Sequence, residues 1–101
     1  SCLDNSITGT RALTFSLTSD ITTAIVDQTV TFQYVATGTK MVGVIVNYGD
    51  GVVDSVFTPG NVVEASGPLT HLWVVTGTYV VSGRVETLLG SDTDEVTIQV
   101  N

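Results

Sequence analysis

Apolar and hydroxyl-bearing residues alternate through most of this chain. Leu13-Thr14-Phe15-Ser16-Leu17-Thr18 is a strict example, and a period of two predicts a strand with Leu13, Phe15 and Leu17 on one buried face. Asp20 interrupts the pattern, and residues 21–25 read as a short edge segment continuing it. After a turn at Asp27-Gln28, residues 29–36 form the clearest strand, with Val30, Phe32 and Tyr34 on one side and Thr29, Thr31 and Gln33 on the other. Thr37-Gly38-Thr39-Lys40 makes the next turn. A strand over about 41–48 then places Val42, Val44, Val46 and Tyr48 on a common face and runs into Gly49-Asp50-Gly51.

That corner organises the rest of the chain. Gly49 and Gly51 can take the positive φ angles of a tight turn, and the Asp50 carboxylate can bond the turn's own amides. Residues 52–58 read as a short strand closed by Pro59-Gly60, and residues 61–65 as another closed by Ser66-Gly67-Pro68. Residues 69–74 follow, then a turn at Thr76-Gly77. Residues 78–86 alternate again, with Tyr79, Val81 and Val85 inward and Arg84 and Glu86 outward. Gly83 leaves a blank on the inward face, which predicts a bulky neighbour from the opposite sheet. A turn around Leu88-Leu89-Gly90-Ser91 leads to a last strand over 95–100. No helical period appears. Seven or eight short strands, with turn signals every 8–12 residues or so, predict an all-β antiparallel sandwich. Residues 1–11 read as a leader or linker and residues 12–101 as the sandwich domain.

Composition narrows the setting. A chain of 101 residues, 43% hydrophobic, can build one packed core. Charged residues are only 13%, about half the usual share, so Thr, Ser and Gly must cover the surface, which suits a secreted or cell-surface β domain. The net charge of -7, with Arg11, Lys40 and Arg84 far apart in sequence, argues against nucleic acid or an anionic membrane as partner. A single cysteine, Cys2, cannot form a disulfide within the chain. It reads as a boundary residue, with a lipid-attachment cysteine as the alternative. There is no starting Met, signal peptide or membrane-spanning apolar run, so the chain reads as an excised domain or mature fragment with no membrane insertion by this segment.

With Asn47-Tyr48-Gly49-Asp50-Gly51, His71-Leu72-Trp73 and Gly77-Thr78-Tyr79-Val80-Val81 in place, the chain resembles a PKD (polycystic kidney disease) domain over roughly residues 12–100. The family pattern is W-D-F-G-D-G, then H-x-Y, then P-G-x-Y-x-V. This chain departs from it at Val46, Asn47, Tyr48, Trp73 and Thr76. An indole absent at Val46 and another present at Trp73 suggest a repacked core of similar volume. The resemblance implies an immunoglobulin-like β-sandwich of seven to eight strands and an extracellular or cell-surface setting. It also implies a non-catalytic role as a spacer or as a protein-protein interaction or adhesion module of a larger surface protein. The alternative is an accessory polysaccharide- or matrix-binding domain of a secreted hydrolase. The partners implied are neighbouring domains of the same polypeptide or other surface proteins, with carbohydrate as the alternative ligand.

The residues themselves say little about catalysis. His71 is the only histidine, and its place beside Trp73 suggests a half-buried ring bonding a backbone group, so no enzyme is expected. Asp50, with Asp54 or Asn47 near it, lacks the oxygen-rich loop calcium needs and reads as the tie of its own corner. Asp92-Thr93-Asp94-Glu95 is the better acidic cluster. It starts the last strand with Asp92 and Asp94 on one face, and calcium held there with Asp20 or Asp27 is a minor alternative to no cofactor at all. Phe15, Phe32, Tyr34, Tyr48, Trp73 and Tyr79 fall on inward positions, which weakens sugar stacking, and Phe57 is ambiguous. Leu88 and Leu89 sit where a solvated turn is expected, either folding over the core end or offering an interface.

Overall fold

The computed structural model describes residues 12–58 and 62–101. The leader with Cys2, and the Pro59-Gly60 breaker with Asn61, lie outside these residues. Among the described residues there are eight strands and no helix: β1 (Thr14–Ser19), β2 (Thr23–Ala24), β3 (Val30–Thr37), β4 (Met41–Asn47), β5 (Val53–Phe57), β6 (Glu64–His71), β7 (Gly77–Thr87) and β8 (Gly90–Val100). They form a three-stranded sheet in the order β1-β3-β6 and a five-stranded sheet in the order β2-β8-β7-β4-β5.

Period-two alternation supplies the core from both sheets. Phe15 and Leu17 of β1, Val30, Phe32, Tyr34 and Ala36 of β3, Val44 and Val46 of β4, Val81 and Val85 of β7, and Ile98 and Val100 of β8 are all buried in one cluster. The blank at Gly83 is filled as the pattern predicts: a Cβ built there would lie 2.6 Å from two ring atoms of Phe15, across the sandwich.

The structure corrects several boundaries. β6 runs unbroken through Ser66-Gly67-Pro68, where the sequence suggested two strands. β6 is the margin of its sheet, and Pro is tolerated there because a missing N–H need break no ladder bond. Residues 21–25 do not continue β1. Instead Thr23 and Ala24 cross to the other sheet and pair in parallel with Gln99 and Val100 of β8.

The β4 face is also shifted at its start. Met41 is fully buried and Val42 is 40% exposed, the reverse of the predicted face, because the β4–β7 ladder shifts register between Met41 and Gly43. Leu13 precedes β1 and remains 37% exposed, against the expected burial. β8 begins at Gly90, well before Glu95, because Asp92, Asp94 and Glu95 continue the ladder opposite Val85, Gly83 and Ser82.

Candidate functional site

The corner between β4 and β5 and the end of β6 bring most of the motif residues together. Gly49 and Gly51 have φ of 84° and 94°, the left-handed conformation expected of them. Three ties close the turn. The Gly49 N–H donates to Asn47 Oδ1 at 2.9 Å, the Val52 N–H to Asp50 Oδ1 at 3.1 Å, and the Tyr48 N–H to the Val52 carbonyl at 3.1 Å.

His71 closes the same corner from the opposite sheet. Its Nε2–H donates to Asp50 Oδ2 at 2.8 Å, so its partner is a side-chain carboxylate and not the backbone group the sequence suggested. The ring lies flat on Tyr48, with centroids 4.1 Å apart and planes 6° apart, and edge-on to Trp73 at 4.8 Å. Trp73 is buried, donates through Nε1 to the Tyr48 carbonyl at 3.2 Å and stacks on Tyr79 at 5.3 Å. Tyr79 in turn donates its hydroxyl to the Val75 carbonyl at 2.6 Å. Gly77 lies beside that ring, 3.7 Å from it at the position a Cβ would take.

The electrostatics follow from these contacts. Partial burial pushes the Asp50 carboxyl up, but the hydrogen bonds from His71 and the Val52 amide outweigh it and hold the group below the usual carboxylate range. Burial, and then the hydrogen bond to Asp54 with that carboxylate's charge, push the Tyr48 phenol up. That hydroxyl donates to Asp54 Oδ2 at 2.6 Å. Burial also raises Tyr34. The Tyr48 hydroxyl, both Asp50 carboxylate oxygens, His71 Nε2 and Trp73 Nε1 each have a hydrogen-bond partner within the fold. What the arrangement can do chemically is tie two sheets together at one end.

The acidic pair has a role that the sequence reading missed. Asp92 and Asp94 share a face, as alternation requires, but it is the face of Val96, Ile98 and Val100, directed across the sandwich. Asp92 Oδ2 accepts the Phe15 N–H at 2.9 Å, and Asp94 Oδ2 accepts the Leu17 N–H at 2.9 Å. Two carboxylates at core-facing parity were the available signal. Asp20 binds the Thr31 amide at 3.0 Å, and among the described residues no three His, Cys, Asp or Glu side chains converge as a metal site.

The remaining candidates are exposed. Leu88 and Leu89, at 71% and 72% exposure, occupy the tip of the β7–β8 hairpin and do not fold over the core. Phe57 is 90% exposed at the end of β5. No helix among the described residues is long and apolar enough to cross a membrane.

No family model matches the sequence, and no curated protein does. Solved structures do resemble it. The PKD domain of an M14-like peptidase from a Thermoplasmatales archaeon superposes with a TM-score of 0.63 at 22% identity, covering 84% of this chain and 92% of its own. The PKD domain of the human VPS10 domain-containing receptor SorCS2 gives a TM-score of 0.60 at 24% identity, covering 91% of this chain and 74% of its own. The two-sheet topology, the Gly49-Asp50-Gly51 corner and these superpositions together give the chain the fold of a PKD domain.

Proposed function

We propose that this domain is a non-catalytic extracellular module, serving as a spacer or protein-interaction unit within a larger surface protein. One observation carries the reading. The chain's single histidine, the residue best suited to acid–base chemistry near neutral pH, is hydrogen-bonded to Asp50 and packed against Tyr48 and Trp73. The low charged fraction and hydroxyl-rich surface support a setting outside the cell. Both neighbours above are domains of larger proteins by their descriptions, a peptidase in one case and a receptor in the other, which supports a modular role.

The contact surface in this reading includes Leu88 and Leu89. Replacing both with Ser is expected to leave stability within about 0.5 kcal/mol, since neither side chain is packed. A loss of several kcal/mol would show that they belong to the core of the folded domain. Retention on insoluble chitin or cellulose in a pull-down decides against the alternative role in polysaccharide binding if it is absent. If the domain is retained, that role replaces the spacer reading.

A further inference from the structure

Two sheets have four margins, and three of them are blocked. The outer edge of β1 is occupied by the Asp92 and Asp94 carboxylates, which take the Phe15 and Leu17 amides. β6 carries Pro68, which offers no N–H. β2 is only two residues long. The fourth margin is β5, which has no Pro within it, and among the described residues no side chain takes its outward backbone groups. Its one protective feature is the inward-turned Asp54.

The ladder fixes which groups of β5 are free. The Tyr48 N–H donates to the Val52 carbonyl and the Thr58 N–H to the Val42 carbonyl. Hydrogen-bonded pairs therefore fall on the even-numbered residues, as in Val46 opposite Asp54 and Val44 opposite Val56. Val53, Ser55 and Phe57 turn their N–H and C=O groups to the open side. Their side chains share the outer face with Asn47, Ile45 and Gly43, where Val53 is 49% and Phe57 90% exposed. The only charged side chain of the strand, Asp54, turns the other way and accepts from the Tyr48 hydroxyl.

We infer that β5 pairs antiparallel with β5 of a second copy of this chain, about a twofold axis at Ser55. The strand is complementary to itself in that register. Ser55 faces Ser55, and Val53 faces Phe57 of the second copy, so each free odd-numbered residue meets another. The three facing pairs make about six hydrogen bonds, two per pair. An aromatic ring covers a β-branched side chain at both ends, a favourable cross-strand combination. Asp54 falls opposite Val56, so no carboxylate directly opposes another. A five-residue seam buries less than the roughly 1,200 Å² of a stable interface, which makes the dimer weak and concentration-dependent. Each copy carries a net charge of -7, so screening by salt strengthens the association.

Sedimentation velocity over a wide concentration range, at low and high salt, tests the equilibrium. The expected result is a reversible dimer favoured by salt and abolished by Phe57→Lys, with the variant's melting curve unchanged. Cross-linking tests the register independently. In a Cys2→Ser background, Ser55→Cys is expected to oxidise to a covalent dimer, because the twofold sets that position against itself. Val53→Cys is expected not to. A chain that stays monomeric at the highest concentration and salt overturns the proposal, which would then leave the edge to a different partner. A dimer that persists in Phe57→Lys, or equal cross-linking at both positions, also overturns it.

Discussion

The ring of Phe15 occupies the space that a side chain on Gly83 would need. The glycine belongs to the five-stranded sheet and the ring to the three-stranded one, and a Cβ on Gly83 would come within 2.6 Å of Cε2 and Cζ. Phe15 is buried and stacked on Tyr34 at 6.4 Å, so the ring has little room to withdraw. Gly83→Ala is expected to cost about 1–3 kcal/mol by overpacking. Thermal melting reads this as a drop of about 4–8 °C per kcal/mol for a domain of this size. Phe15→Leu in the same background is expected to recover part of the loss, and full additivity of the two changes would show that they do not share the space.

Asp92 and Asp94 fasten β1 by its backbone. Replacing either with Ala leaves one amide of β1 without its acceptor, an expected loss of about 1–3 kcal/mol each. Replacement with Asn keeps an acceptor oxygen and is expected to cost less. Hydrogen exchange gives the sharper measurement. In Asp94→Ala the Leu17 amide is expected to exchange faster than in the parent, while amides of β7 are unaffected.

The Asp50 tie makes stability depend on acid. Its carboxyl is held below its ordinary value in the folded state, so the stabilisation is present above the unfolded pKa of about 3.9 and is lost as pH falls through the lower folded value. Denaturant midpoints measured from pH 6 down to about 2 are expected to fall through this window. Asp50→Asn is expected to lower the midpoint at pH 6 and to flatten the acid slope. An unchanged slope would place the acid sensitivity in other carboxylates.

Tyr48 is expected to contribute to the loss of stability at alkaline pH. Burial and the Asp54 carboxylate raise its phenol, so the folded state holds the proton more tightly than the unfolded chain does. The resulting stability is complete below the unfolded pKa of about 10 and is lost as pH rises above it. Absorbance titration of the phenolates is expected to show Tyr48 and Tyr34 ionising late, together with unfolding. Tyr48→Phe removes the donor to Asp54 at a cost of about 1–2 kcal/mol, and it should make the stability curve above pH 10 shallower.

The sequence by itself determined the sandwich, most of its core and the corner at Gly49-Asp50-Gly51. Those features rest on local rules: period two sorts Phe32 and Tyr34 from Thr31 and Gln33, and only glycine readily takes the φ found at Gly49 and Gly51. Even the Phe15–Gly83 contact was legible in outline, because a missing inward side chain asks for a large one opposite. Other features depended on partners distant in the chain. His71 could be placed on a half-buried face, but Asp50 as its acceptor lies 21 residues away. The Asp92 and Asp94 carboxylates reach amides 77 residues away. The sequence therefore offered only charges at a strand start, with calcium as a minor alternative, and the bonds to β1 became visible once β8 and β1 were set side by side. The register shift that buries Met41 and turns Val42 outward comes from ladder geometry between β4 and β7, which no window of sequence contains. Which margin stays open was likewise decided only by the assembled sheets, because an edge exists only once the strands have found their neighbours.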